Sequence, residues 1–357
     1  MSAEQLQIEK YILIMKKKII LIFTAVIAML VVAMGWIVVS SGFIIEHPTA
    51  IYIDSDDNVD SLRKKFDSVC RPSSDLAFNI NIAIFDIDNR MHTGRYVVTP
   101  EMTAMQALYR IRNHNEDPLN LVVPSVRTMG DMAQRLASQL MVDSASIMRA
   151  LNDETLIKSM GYSKQTLPCL FVPNTYQVYW DVTVDNLLKR MKRESENFWT
   201  DDRKAKLAEV SEYAGEEMTI NKVVTLASIV DSETSNNGEK PIIAALYMNR
   251  MRINMPLQSD PTVKFALQDF ALRRIMHKHL EVDSPYNTYK NKGLPPGPIC
   301  VPSIAGIDAV LNHSRNDYIY MCAKEDFSGT HNFAVSYAEH QRNAARYVSA
   351  LNKRNIH

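Results

Sequence analysis

The chain has 357 residues, 46% of them hydrophobic and 22% charged, an ordinary balance for a folded protein with room for more than one domain. Lys and Arg number 40, as do Asp and Glu, so no basic surplus points to nucleic acid as a partner. Four cysteines without a C-x-x-C pair do not make a metal framework.

Residues Ile19 to Val39 carry no charged side chain and are long enough to cross a hydrocarbon core of roughly 30 Å. Lys16, Lys17 and Lys18 precede the run, whereas Glu46, Asp54, Asp56, Asp57 and Asp60 follow it. The positive-inside rule then places residues 1–18 in the cytoplasm, residues 19–39 across the inner (cytoplasmic) membrane, and everything after about Ile45 outside. Trp36 suits an interfacial anchor. A cleaved signal peptide is the alternative, but the run exceeds the usual apolar stretch of about 7–15 residues and no A-x-A-like site follows. Cys70, Cys169, Cys300 and Cys322 all lie on the exported side, where disulfides can form, although their pairing is not written in the sequence. His277 and His279 read as surface or helix-end residues, and neither a metal nor a cofactor is expected.

Beyond the apolar run, Ala50–Ile53 reads as a strand and Val59–Phe66 as a helix. Ile82–Asp88 reads as an apolar strand, with Arg95–Val98 as its partner after the Gly94 break. Thr103–Asn113 is an amphipathic helix with Met105, Leu108 and Ile111 on one face. Leu121–Val123 is strand-like, and Met129–Leu140 and Ser144–Leu151 are two helices, the second ending before Asn152-Asp153. This small β-α-α unit is similar to a LysM module, a carbohydrate-binding fold; a structural spacer is the alternative. The aromatic cluster from Phe171 to Trp180 suits core packing or stacking on sugar rings. Val182–Ala214 reads as a charged helical pair.

Thr219 caps a helix in which Val223, Ala227 and Val230 recur at helical spacing, and which delivers Glu233 to its C-terminal end before the break at Ser235–Gly238. The negative end of a helix and apolar neighbours both favour the protonated acid, as a general acid working near neutral pH requires. Asp231, two residues earlier, points to the opposite face, so the two cannot flank one glycosidic bond and one of them is expected on the helix surface. Pro241 opens a second helix whose end offers Asn249 and Arg250, either to substrate hydroxyl and acetamido groups or to the helix terminus. In Gln258-Ser259-Asp260-Pro261-Thr262, Asp260 is placed to cap a helix starting at Pro261, or to serve the site. Tyr286-Asn287-Thr288-Tyr289 brackets two small polar residues with two aromatic ones, and Gly293–Pro298 is a stiff loop with little freedom to lose on binding a polymer. Tyr318–Cys322 and Gly329–Phe333 form a hairpin, and Ser336–Leu351 closes the chain as a helix.

The series I-V-D-S-E-T, N-R-M-R, L-Q-S-D-P-T-V, Y-N-T-Y, G-L-P-P-G-P-I and H-N-F resembles the endolytic murein transglycosylases of the MltG, or YceG-like, family, from about Tyr96 to the C-terminus. The resemblance implies an α+β protein: a membrane helix, a LysM-like region over residues 48–155 and a mixed α+β catalytic domain over 156–357. It assigns the essential acid to Glu233 and departs from the family pattern at Asp231, where Glu is usual. It also implies a substrate cleft drawing on Asn249, Arg250, Gln258 and Asp260, on Tyr286, Asn287, Thr288 and Tyr289, and on Pro295, Pro296, His331 and Phe333. The implied reaction cuts the β-1,4 bond between N-acetylmuramic acid and N-acetylglucosamine inside nascent peptidoglycan strands and closes a 1,6-anhydro ring, beside peptidoglycan synthases, so terminating strand growth. Two other readings stay open: a hydrolytic muramidase in which Asp260 or another carboxylate activates water, and a catalytically silent glycan-binding membrane scaffold.

Overall fold

The computed structural model describes residues 3–272 and 274–354. The chain divides into two compact units, one running to Leu119 and taking in Val178–Asp181, the other made of Asn120–Gln177 and the chain from Val182 onward.

The first unit begins with α1 (Ala3–Ser40), in which the 31 residues Lys10–Ser40 are long and apolar enough to cross a membrane. β1 (Thr49–Ile53) leads to α2 (Val59–Val69), where Asn58 and Ser61 form a reciprocal cap. Then come α3 (Asp75–Ile84), a short α4 (Ile87–Arg90), β2 (Gly94–Val98) and α5 (Ala104–Arg112). β2 pairs antiparallel with β1, from Thr49 opposite Val98 to Ile53 opposite Gly94. The Ile82–Asp88 strand expected from sequence is therefore absent. Ser74 caps a helix there by accepting from the Ala77 N–H, and Ala77, Phe78, Asn81 and Ile82 are buried at helical spacing. Because α3 is apolar on its other face as well, its period is hidden in the sequence. On α5 the buried face is Ala104, Ala107, Leu108 and Ile111, while Met105 turns outward, correcting its expected place. Phe43, Phe66 and Phe78 meet in this core, with ring centroids 4.9 to 6.5 Å apart and Phe43 stacked on Phe66.

The second unit opens with β3 (Leu119–Val123), α6 (Met129–Ala137), α7 (Ser144–Asn152) and α8 (Glu154–Ser159). A 3-10 turn then leads to β4 (Asn174–Val178), which pairs with β3. The charged pair α9 (Val184–Phe198) and α10 (Asp201–Ala214) follows. The core is built around α11 (Ile220–Glu233) and α12 (Lys240–Arg252), with α13 (Asp260–Leu267), the short α14 (His277–Leu280) and α15 (Ile304–Leu311) beside them. The antiparallel hairpin β5 (Tyr320–Ala323) and β6 (His331–Ala334) and the closing α16 (Tyr337–Lys353) complete it. All four cysteines are separate thiols, three of them buried.

In the first unit, His114, Glu116 and Asp181 gather their side-chain ends within 4.8 Å of one another, a set that spacing within the sequence could not reveal. Asp181 accepts from Thr93 Oγ1 at 2.6 Å, and the Arg95 N–H reaches Glu116 at 3.3 Å. Burial, reinforced by the neighbouring Asp181 charge, pushes the Glu116 carboxyl up to about 7. Because the folded state then holds this proton more tightly than the unfolded chain, whose Glu titrates near 4.5, the proton's contribution is complete below about pH 4.5. It is lost as pH rises through about 7. Thermal melts of Glu116→Gln against the parent from pH 4 to 8 are expected to show a weaker decline for the variant across that window and a higher Tm at pH 8. Parallel pH profiles for the two proteins would contradict this assignment.

Candidate active site

α11 is buried almost throughout, from Val223 to Val230, and this fixes where its last residue points. The Ser228 hydroxyl, fully buried, donates to the Thr225 carbonyl and accepts from the Ile299 N–H, tying the loop after Pro298 to the helix. Asp231 faces away from Glu233. It pairs with Lys240 Nζ at 2.8 Å and accepts from the Ser303 N–H at 2.6 Å, so the start of α15 docks on it. A Cβ on Gly306 would lie 2.5 Å from the Asp231 carboxylate, which makes that glycine part of the same joint. The expected surface position of Asp231 is thus corrected: it is a structural clamp in a buried ion pair. Removing one partner of such a pair costs about 3–5 kcal/mol.

Glu233 ends α11, beyond which Thr234 leaves helical geometry. Its Oε1 accepts from Tyr247 Oη at 2.7 Å and from Ser259 Oγ. Burial raises its pKa, the Ser259 and Tyr247 hydrogen bonds pull it back, and the nearby Asp260 charge raises it again. The result is an acid held above the ordinary carboxylate range by lost solvation and supported by two neutral donors. Tyr247 is fully buried on α12, and burial together with the Glu233 charge keeps its phenol protonated.

Ser259 is set by a second layer of polar contacts. Its N–H donates to Thr288 Oγ1 at 3.0 Å, and Thr288 Oγ1 also meets Thr262 Oγ1 at 2.8 Å, all three residues being buried. The Gln258 N–H donates to the Thr288 carbonyl, while the Gln258 side chain is exposed on a left-handed backbone at φ 52°. Asp260 is not the helix cap expected of it, because Ser259 occupies that position. Its exposed carboxylate instead accepts from Tyr289 Oη at 2.6 Å. Thr288 and Asn287 are buried and support the loop, with Asn287 Nδ2 donating to the carbonyls of Leu280 and Val282. Tyr286 packs on Phe265 with ring centroids 4.7 Å apart, as part of the core.

Two further expected contacts are spent on the chain itself. Asn249 Nδ2 donates to the carbonyls of Asn316 and Tyr318, and Arg250 donates to those of Ile319 and Leu257. Both side chains are buried, so they hold the site's walls in place and do not face a ligand. Pro295 is buried and Pro296 exposed in a loop where a Cβ on Gly297 would overlap the Gln165 carbonyl at 2.0 Å. Phe333 stacks on Tyr318 at 5.5 Å. His331 Nδ1 lies 3.1 Å from Glu239 Oε2; since a carboxylate only accepts, Nδ1 carries the proton and Nε2 is left for another partner. Glu239 also takes the His331 N–H at 2.7 Å and lies 3.5 Å from Thr234 Oγ1, so it joins β6 to the end of α11.

Sequence reasoning missed Tyr247, Ser259 and Glu239. Tyr247 offered one signal, as the only phenol in the otherwise aliphatic run Ile242–Met248. Removing its hydroxyl leaves Glu233 with one donor fewer to its charged form, which raises the acid's pKa further. In an infrared pH titration of the Glu233 carboxyl, Tyr247→Phe is expected to ionise this group at higher pH than the parent does. A midpoint that stays put or moves down would show that this hydroxyl does not tune Glu233.

The YceG-like family profile matches residues 51–346. The endolytic murein transglycosylase of Bacillus subtilis is 29% identical over 238 residues, covering 62% of this chain and 63% of that protein. That of Streptococcus pneumoniae strain R6 is 30% identical over 292 residues, covering 73% of this chain and 51% of its own length. The chain thus aligns with between half and two thirds of these relatives' lengths. In fold it is similar to the crystal structure of a YceG-like protein from Listeria monocytogenes, with a TM-score of 0.53 and 24% identity, across 84% of this chain and 99% of the other. With the profile spanning most of its length, this chain belongs to the YceG-like family.

Proposed function

We propose that the chain is a membrane-anchored endolytic transglycosylase that cuts peptidoglycan strands, with Glu233 as its acid and base. The observation that carries this reading is the Glu233 carboxyl at the end of α11, served by the Tyr247 and Ser259 hydroxyl donors and with its pKa raised by burial. The protonated acid gives its proton to the glycosidic oxygen as the bond from the muramyl anomeric carbon breaks. The resulting carboxylate then takes the proton of the muramyl 6-hydroxyl, whose oxygen attacks the anomeric carbon and closes the 1,6-anhydro ring. The leaving sugar keeps the first proton as its 4-hydroxyl, so no water is consumed and Glu233 ends protonated. One carboxyl performs both transfers, where hydrolysis usually takes two. The names of the relatives support the substrate class.

α1 is read as the anchor, with its Lys-flanked end in the cytoplasm and the folded units outside, where nascent strands and their synthases work. Termination of strand growth follows from that placement. The succession of β3, α6 and α7, with β4 returning to pair with β3, supports the LysM-like reading of a glycan-holding module.

A hydrolytic reading has one specific observation in its favour: Asp260 lies close enough to act electrostatically on Glu233 and is exposed to water. The identity of the product ends separates the two. The full chain in lipid nanodiscs acting on uncrosslinked glycan strands is expected to release anhydro-ended fragments by mass spectrometry. Glu233→Gln should lose roughly 10²–10⁴-fold in rate, the usual worth of a positioned general acid. Reducing ends that acquire oxygen from labelled water would establish hydrolysis, and a Glu233→Gln protein as active as the parent would remove Glu233 from the chemistry.

A further inference from the structure

α1 does not end in a linker. Asn81 Nδ2 on α3 donates to the Val38 carbonyl at 2.9 Å while that residue is still helical. Ser41 accepts from the Ala104 N–H at 2.8 Å, Gly42 from the Ser73 N–H, and the Ile44 N–H donates to the Arg71 carbonyl. Phe43 enters the aromatic core of the first unit. From Val38 onward, therefore, the chain is bonded into the folded unit within one helical turn of the interfacial residue Trp36. A rise of about 1.5 Å per residue places Trp36 only about 3 Å along the axis from Val38.

α3 is docked at that level, and it is apolar on two faces. Ala77, Phe78, Asn81 and Ile82 enter the core. Leu76, Ile80, Ala83 and Ile84 recur at i, i+4, i+7 and i+8 on the other side, with Leu76 57% and Ile84 62% exposed. Beside the polar strip of Asp75 and Asn79, this outward side is apolar, and among the described residues no protein covers Leu76 or Ile84. The exposure continues into α5, where Met105 and Tyr109 sit beside Phe85 and border a groove of about 730 Å³. Ile44, just beyond α1, is exposed as well.

We infer that the outward face of α3, with the Phe85–Tyr109 groove beside it, is a membrane-docking surface seated among the lipids of the leaflet from which α1 emerges. This rests on the reading of α1 as a membrane-spanning helix. The occupant follows from continuity: the apolar face is fixed by hydrogen bonds to the last turn of the helix that crosses the bilayer. Apolar helix faces exposed beside a membrane anchor insert at the boundary of headgroups and acyl chains.

The test places a tryptophan at Leu76, Ile84 or Val31 of the full chain, reconstituted in vesicles of phosphatidylethanolamine and phosphatidylglycerol with or without bromine on the acyl chains. Each variant is read as its difference from the parent, which carries Trp36, Trp180 and Trp199. Leu76→Trp and Ile84→Trp are expected to emit at shorter wavelength than a water-exposed indole and to lose intensity in brominated lipid, as Val31→Trp does. If Val31→Trp is quenched while both α3 variants emit as in water, the docking surface is wrong and the anchor stands. Blue-shifted α3 variants that bromine leaves unquenched would mean that protein covers the face, which also overturns the inference. An unquenched Val31→Trp would remove the anchor and the docking surface with it.

Discussion

A carboxyl group at the C-terminal end of a buried helix meets the negative end of the helix dipole and loses water at the same time, and both effects favour its neutral form. The site depends on holding Glu233 under that constraint without neutralising it by a strong cation. Tyr247 and Ser259 each donate a hydroxyl hydrogen, which stabilises the ionised form enough for the group to release its proton, without fixing it as a permanent anion. An Arg or Lys at hydrogen-bonding distance would have tipped the balance toward a permanent carboxylate with no proton to give.

The surrounding polar groups serve this arrangement by fixing backbone. Asp231 joins α11 to Lys240 and to the start of α15, Ser228 holds the loop after Pro298, and Glu239 ties β6 to the helix end. Arg250 and Asn249 anchor the segments before Ser259 and before β5, and Thr288 fixes Ser259 itself. Buried polar contacts of this kind are costly if left half-made, so each restricts its segment to one conformation. Aliphatic packing around α11 and α12 supplies the apolar burial, while the polar clamps supply the register that sets the acid's direction.

How much of this was readable in advance follows from the range of each signal. Glu233 was legible because a periodic apolar helix ends at it and a polar break follows, both local facts. The Asp231–Glu233 division of labour was half legible: helical geometry separates their faces, but the Lys240 partner that makes Asp231 structural is met only across a turn between two helices. Tyr247 and Ser259 escaped because their contacts with Glu233 span 14 and 26 positions and leave no periodic trace. Asn249, Arg250, Asn287 and Thr288 suggested ligand contacts because they are polar residues in dense motifs, yet their groups are used by backbone carbonyls and neighbouring residues. The strand expected over Ile82–Asp88 is replaced by the last turn of α3 and the start of α4, because a helix apolar on two faces shows no 3.6-residue period.

The central claim is that Glu233 stays protonated above the ordinary carboxylate range while remaining able to ionise. Infrared difference spectra of the parent minus Glu233→Gln, recorded through a pH titration, read the protonated carboxyl stretch of this one group. The account predicts a carboxylic acid band that persists beyond the pH at which exposed Glu residues have ionised and then converts reversibly to carboxylate. A difference spectrum showing only carboxylate from mildly acidic pH upward would contradict it.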